Sequence, residues 1–382
     1  MTNKIDIKQK LLVHSKAKVA LYGDYLETYL AILTNSKYIK KINIFDLMCG
    51  EGLYQNNQKG SPLVALEKTK KVLAGKPNFN PSISFIFNDN GQSEIEYNIS
   101  KINRLKSICN SIDIPENVSI QFRENDLLIA IREAIDIAAN STQTKSLFFV
   151  DPYGYKKIKP QFIKDILSNN SSELIVFLPV SHMYRFAIPA MNKKFTGSEP
   201  LYLFLLELFG EQIEDFNDVY HFIKCCKNKF QDYLEHQKIF VETFTLQRDL
   251  NNTYCLFFFT SNVLGFQKML EAKWKNDTEQ GKGFKLSKQK SLFSGITYSP
   301  YPNLLKTYLS RNDSVSNGDL FIFGLKNGYL PKHTKEAINF LKKTGTKITT
   351  SSFDDKPIKG YYISYKNYTE LPDRLITYKI EQ

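Results

Sequence analysis

A chain of 382 residues with 42% hydrophobic content has room for one large α/β domain plus a small appendage, and this composition excludes global disorder. The 51 Lys and Arg against 39 Asp and Glu leave a formal charge of +12, which favours polyanionic partners such as nucleic acid. Cys49, Cys109, Cys225, Cys226 and Cys255 include no CxxC pair, so neither a disulfide framework nor a metal site is expected, and with no apolar leader or bilayer-length run the expected setting is the cytoplasm, away from membranes.

In chain order, Val19, Tyr22, Leu26, Tyr29, Leu30 and Leu33 recur at helical spacing and predict an amphipathic helix over 15–33. A buried strand over 42–47 follows, delivering Asp46-Leu47-Met48-Cys49-Gly50-Glu51-Gly52. A loop over 53–59 is expected to act as a flap. Ser61 as N-cap and Pro62 at the first helical position then open a helix over 63–73. The strand at 83–87 ends at Asn88-Asp89 and leads to a helix over 93–109. The strand at 118–122 ends near Asn125-Asp126, with a helix from 127 to about 139. A strand over 147–150 ends in Asp151-Pro152-Tyr153-Gly154, followed by a helix over 160–168 and a strand over 174–179.

Strands alternating with helices at these lengths predict a mostly parallel, doubly wound sheet. An acid-glycine loop after the first strand and Asp-Pro-Tyr after the fourth is the ordering of a Rossmann-like S-adenosylmethionine methyltransferase. The loop lacks a full GxGxxG, which argues against a dinucleotide dehydrogenase. Phe- and Leu-rich helical sequence over about 187–238 reads as an insertion covering the sheet's carboxyl edge. Runs at 240–244 and 254–260 would form the closing antiparallel hairpin, and a helix over 265–274 would complete the domain.

Gln280-Gly281-Lys282-Gly283 suggests a boundary, with the methyltransferase domain at 1–278 and a basic winged-helix-like domain at 279–382. In the second piece, helices at 304–309, 319–325 and 334–341 precede short strands near 347–350 and 360–365. With 17 Lys and Arg against 9 Asp and Glu, it carries +8 of the total +12.

Strand ends are where an open α/β sheet places its ligand. Asp46 would accept from a cofactor ammonium, directly or through water. Gly50 and Gly52, with Cys49 beside them, would admit a cofactor against bare backbone. The alternative is that the glycines only shape a tight turn. Asp89, next to Asn88, is the candidate for ribose hydroxyls, or else a turn former. Asp126 is the candidate for an adenine amino group, or else a helix N-cap.

Asp151 and the Pro152 carbonyl would accept the protons of an exocyclic amine while Tyr153 stacks on its base. Amino-methyltransferases of DNA usually carry Asp/Asn-Pro-Pro-Tyr/Phe, and the second proline is missing here. Arg185 and His182 would share that rim for a phosphate contact or acid–base work, although a lone histidine is more often structural. The Cys225-Cys226 pair reads as packing. In the tail, Lys332, His333 and Lys335 open the third helix while Lys342 and Lys343 close it. That arrangement suits a helix entering a DNA groove, and equally a protein-docking or merely solvated face.

Together these motifs resemble the three-Cys-motif partner proteins (TcmP). The matching stretches are 14–18 with the helix after it, Ile44-Phe45-Asp46-Leu47-Met48-Cys49-Gly50-Glu51-Gly52-Leu53-Tyr54 with Gly60-Ser61-Pro62-Leu63, and Phe149-Val150-Asp151-Pro152-Tyr153-Gly154. Further matches are Phe177-Leu178-Pro179-Val180-Ser181, Tyr184-Arg185-Phe186 and the segment from Tyr254 to Trp274, with Leu330-Pro331-Lys332-His333 similar to the family's tail. The resemblance implies a methyltransferase-like protein working with a radical-SAM-like protein that bears a three-cysteine motif. It supports Asp46, Gly50, Gly52 and Asp151 as site positions. The expected function is methyl transfer from S-adenosylmethionine to a nucleic-acid base amine. The competing expectation is a non-catalytic, cofactor-binding or docking subunit.

Overall fold

Four largely apolar segments, at 41–46, 82–88, 144–150 and 172–178, become the buried parallel centre of one sheet, and a fifth at 118–123, half exposed, forms its edge. The computed structural model describes residues 12–74, 76, 81–139, 143–152, 154–193, 196–249, 251–277, 283–284, 300–352, 356, 358–370 and 376–380. The chain divides into two compact units, Met1–Leu286 and Ser287–Gln382.

In the first unit the elements run α1 (Val13–Leu33), β1 (Lys41–Asp46), α2 (Ser61–Ala74), β2 (Ser82–Asn88), α3 (Lys101–Cys109), β3 (Val118–Arg123), α4 (Leu127–Ala139) and β4 (Thr144–Val150). They continue with α5 (Pro160–Leu167), β5 (Ser172–Leu178), α6 (Val180–Met191), α7 (Glu199–Phe209), α8 (Val219–Tyr233), β6 (Phe240–Gln247), β7 (Thr253–Thr260), α9 (Val263–Asn276) and β8 (Gly283–Phe284). The sheet order is β3-β2-β1-β4-β5-β7-β6-β8. β1 to β5 pair in parallel, and β7 lies antiparallel between β5 and β6. This mixed sheet with a closing hairpin is the α/β architecture expected from the sequence.

Strand alternation sends neighbouring side chains to opposite layers. Phe45 and Phe148 stack with ring centroids 4.5 Å apart and join a core with α4, α5 and the three helices α6–α8. On the other face Phe149 stacks on Tyr22 of α1, and Phe258 meets Tyr25 edge-on. No helix among the described residues is long and apolar enough to cross a membrane.

One helix starts later than its periodicity suggests. Instead of a helix from residue 93, the Ser93 hydroxyl accepts from the N–H groups of Ile95 and Glu96, and Gln92 bridges to Ser100. α3 begins only after Ser100, whose hydroxyl caps the Asn103 N–H at 3.1 Å. A local side-chain turn has outcompeted the first helical turns.

The second unit contains α10 (Tyr301–Ser310), β9 (Val315–Ser316), α11 (Asn317–Lys326), α12 (Pro331–Lys343), β10 (Ile348–Ser351), α13 (Tyr365–Glu370) and β11 (Thr377–Ile380). Its three-stranded antiparallel sheet has the order β10-β11-β9. The strand expected over 360–365 is absent: Gly360 and Tyr362 adopt φ of +112° and +49°, which no extended strand tolerates. β11 pairs with β10 instead, and the Tyr378 hydroxyl donates to the Tyr361 carbonyl.

Candidate functional site

The carboxyl ends of β1, β4 and β5 converge with the start of β7 on a cleft of about 580 Å³. Met48 stands after β1, Asn90 after β2, Pro152 and Gly154 after β4, His182 and Arg185 on α6, and Asn252 and Tyr254 at the β6–β7 turn. Running antiparallel, β7 starts where β5 ends, which is why residues so late in the chain wall a site built on early strands.

Asp46 and Asp151 end adjacent strands, in register as Asp46 opposite Phe149. Asp46 is fully buried, and among the described residues neither carboxylate oxygen closes a hydrogen bond. Burial drives its pKa up to about 7; the nearby Ser61 hydroxyl, Met48 N–H and Lys18 pull the other way, and Asp151 adds to the rise. Ser61 and Met48 lie close enough to be felt but close no hydrogen bond, so the group is left unsatisfied. The Tyr22 hydroxyl, also buried and without a partner, faces the same charge.

Asp151 ion-pairs with Lys18, on the first turns of α1, and the Lys18 ammonium also lies 4.5 Å from the centre of the Phe177 ring. Phe177 stacks on Tyr254 and Tyr254 on His14, forming an aromatic column beside the pair. Burial, reinforced by Lys18 and Arg248, lowers the His14 pKa to about 4, so its ring is neutral near pH 7. Lys18 fell within a sequence match, but its partner 133 residues away gave no local signal.

The glycine loop divides its labour. Gly50 has φ +66°, and a Cβ there would meet no atom within 4 Å, so open space lies beside its backbone. Gly52, at φ +80°, would place a Cβ 2.5 Å from Leu105 Cδ1, so α3 fills its space and the expectation of room for a ligand there is corrected. The Cys49 thiol is buried, and burial, with Asp46 and Asp89 nearby, raises its pKa well above the ordinary range. The loop over 53–59 folds back as a small hairpin, with Leu53 bridging Lys59 and Gly60 N–H donating to Gly52 O at 2.7 Å.

Asp89 is buried and its oxygens are already engaged, Oδ2 by the Gly50 N–H at 3.1 Å and Oδ1 by the Gly91 N–H at 2.8 Å. It braces the glycine loop, while its neighbour Asn90 reaches the cleft; the sequence reading passed over Asn90. Asn88 bonds Leu47 O and Asn125 O, tying the ends of β1 and β3 together. Asp126 caps α4 through the Leu128 N–H at 3.0 Å and pairs with Lys157, and these contacts lower its pKa. That is the N-cap alternative, placed at the cleft's rim by Lys157 and Leu127.

On the opposite rim the Arg185 Nε donates to Ser181 O at 3.1 Å and its Nη2 to Asn252 Oδ1 at 3.3 Å, tying α6 to the β6–β7 turn. No carboxylate among the described residues pairs with it. The exposed His182 ring lies between Tyr155 at 5.5 Å and Phe186 at 4.7 Å, and its pKa is lowered by burial, Arg185 and Lys156. Tyr153 lies outside the described residues.

In the second unit Lys332, Lys342 and Lys343 are exposed at the two ends of α12 and Lys335 is half-buried. His333 is corrected as a candidate base reader. Its Nδ1 accepts from the Leu330 N–H at 3.0 Å, and burial with Lys332 lowers its pKa to about 4, making it a neutral helix cap.

No protein-family description matches the chain, and no curated protein does. Among solved structures, it is similar to protein LPL1258 from Legionella pneumophila str. Philadelphia 1, of family DUF519, at 14% identity and TM-score 0.40, covering 70% of this chain and 92% of that one. It is also similar to Trm1 from Pyrococcus horikoshii in complex with S-adenosyl-L-methionine, at 14% identity and TM-score 0.34, covering 67% and 58%. A loganic acid methyltransferase with SAH follows at 10% identity and TM-score 0.29, covering 68% and 81%.

Proposed function

We propose that the chain is an S-adenosylmethionine-dependent methyltransferase acting on an exocyclic amine of a nucleic-acid base, in the cytoplasm and in concert with a three-Cys-motif radical-SAM-like protein. The observation that carries this reading is Asp46: a fully buried carboxylate whose oxygens close no hydrogen bond among the described residues, two residues before Met48 in the wall of the cleft at the strand tips. A buried anion that its own chain leaves incomplete suits a ligand bearing positive charge. The amino and sulfonium groups of S-adenosylmethionine answer that description, and the open backbone at Gly50 with Met48, Asn90 and Leu127 offers walls for the rest of the cofactor. When bound, this cofactor supplies a methyl group activated by the adjacent sulfonium.

The chain's own residues then perform positioning. Asp151 and the Pro152 carbonyl accept the protons of the target amine and turn its lone pair inward. Lys18, which contacts Asp151 and the Phe177 ring at once, must leave Asp151 for this to happen. His182, its pKa lowered, is available as a neutral acceptor. Arg185, without a carboxylate partner, and the exposed Lys156 suit a phosphate beside the base. The second unit, read as a basic winged-helix-like module, would contact nucleic acid through Lys332, Lys342 and Lys343.

One observation favours a second reading, a docking subunit that binds the cofactor without turnover: Lys18 already occupies the proposed amine acceptor. Titration calorimetry with S-adenosylmethionine, followed by labelled-methyl transfer to DNA, RNA and protein pools with and without the three-cysteine partner, separates the two. Methyl transfer that disappears in Asp151→Ala, with cofactor affinity kept within a few-fold, is the expected result. Binding without transfer in any pool would leave the docking reading, and well-folded protein that binds no cofactor would remove the enzyme reading and leave only a docking subunit that needs no cofactor.

A further inference from the structure

We infer that Glu214, His221 and Cys225 form a binding site for one divalent transition-metal ion, zinc by the chemistry of the donors, which clips the segment before α8 onto that helix. The sequence reading treated Cys225 and Cys226 alike as packing. Cys226 is buried at 2% exposure, but Cys225 is only half-buried and turns its sulfur outward to Glu214.

His221 and Cys225 are four residues apart on α8 and therefore share one face of the helix. Glu214 reaches them from the irregular segment between α7 and α8, and one donor atom from each of the three lies within 4.8 Å of the other two. Zinc bound at roughly 2.0–2.3 Å to sulfur, nitrogen and oxygen holds its donors about 3.3–3.8 Å apart, so closure needs about 1 Å of side-chain movement. Thiolate, imidazole and carboxylate together select zinc over magnesium or calcium, which prefer all-oxygen sites. A solvent-facing fourth position would be completed by water.

Two supports hold the donors in place before any ion arrives. The Asp218 side chain caps α8 by accepting from the His221 N–H at 2.7 Å, which fixes the backbone of the first helical ligand. Phe216 packs edge-on against Phe209, Phe222 and the His221 ring, anchoring the segment that carries Glu214. The Cys225 thiol donates to Glu214 Oε1 at 3.4 Å and the His221 Nδ1 accepts from the Asn217 N–H at 3.3 Å. The first is a weak thiol bond and the second a long one, so an ion would displace little. The Tyr184 hydroxyl donates to Phe216 O at 3.5 Å, so the clipped segment also backs α6, the helix that carries His182 and Arg185.

The test is metal titration of the metal-stripped full chain, using zinc in calorimetry and cobalt as a spectroscopic probe, with Cys225→Ser, His221→Ala and Glu214→Gln in parallel. The expected result is one ion per chain, a cobalt spectrum with thiolate charge-transfer absorption, and a zinc-dependent rise in melting temperature. Cys225→Ser and His221→Ala should each weaken binding at least about tenfold, and Cys225→Ser should also remove the thiolate absorption. All three positions are near the surface, and circular dichroism confirms that the variants fold. Absence of zinc binding, equal affinity in the variants, or cobalt bound without the thiolate band would each overturn the assignment.

Discussion

Two buried carboxylates in the first unit sit near lysines and titrate in opposite directions. Glu242 on β6 gathers three donors on one oxygen: Lys273 of α9 at 2.9 Å, Lys227 of α8 at 3.2 Å and the Thr243 N–H at 2.7 Å. Burial pushes its pKa up, but the two lysines and these bonds hold it down to about 2. Burial also lowers the pKa of Lys273, while Glu242 opposes that shift. Asp46 has no ion-pair partner of this kind, and burial raises it to about 7 against the pull of the Ser61 hydroxyl, the Met48 N–H and Lys18. Glu242 Oε2 is itself buried and unpartnered among the described residues, so what separates the two groups is the pair of lysines on Glu242 Oε1: an ion-paired carboxylate belongs to the scaffold, whereas Asp46 has no cation in contact.

The sharpest way to break this contrast is Glu242→Gln, which takes the carboxylate partner away from the buried Lys273 and from Lys227. It should cost about 3–5 kcal/mol in urea unfolding, and a loss below about 1 kcal/mol would show that the triad is not structural. Asp46→Asn tests the other side. Because the folded pKa lies above the unfolded one, the folded chain binds the extra proton between about pH 4 and 7, so stability falls as pH rises through that window and levels off above it. The variant should match the parent near pH 4 and exceed it by roughly 3–4 kcal/mol at pH 8, while losing affinity for a cationic ligand.

Gly52→Ala brings both a strained φ and a clash with Leu105, and should cost about 1–3 kcal/mol; Leu105→Ala in the same chain should relieve only the clash. Lys18→Met should have a smaller effect on stability, about 1–2 kcal/mol, since Lys18 is buried but Asp151 keeps a side-chain exposure of 24% and water can take over part of the contact. A thermal melt showing a larger loss would move that pair into the scaffold class.

The strand ends were readable because β1, β2, β4 and β5 are largely apolar runs and β3 alternates apolar with polar residues, each followed closely by Asp, Asn or Pro, so Asp46, Asp89, Asp126 and Asp151 could be placed at the ends of their strands. What each acid bonds was not readable, because the partners come from elsewhere in the chain or from backbone: Lys18 for Asp151, the Gly50 N–H for Asp89, Lys157 for Asp126. Residues 93–100 kept a helical look because a serine turn preserves polar spacing while diverting the backbone. The strand expected at 360–365 failed on two positive φ values, one at a tyrosine, which residue type does not forecast. His221 and Glu214 escaped notice because their relation to Cys225 depends on a loop returning to a helix.

Because β7 threads between β5 and β6, Asn252, Thr253 and Tyr254 close the cleft only when that strand is inserted. During synthesis the ribosome therefore releases the acids of β1 and β4 long before the wall that encloses them. A nascent chain halted before residue 253 carries Asp46 and Asp151 yet offers no finished chamber, and competence arrives late, with a single hairpin.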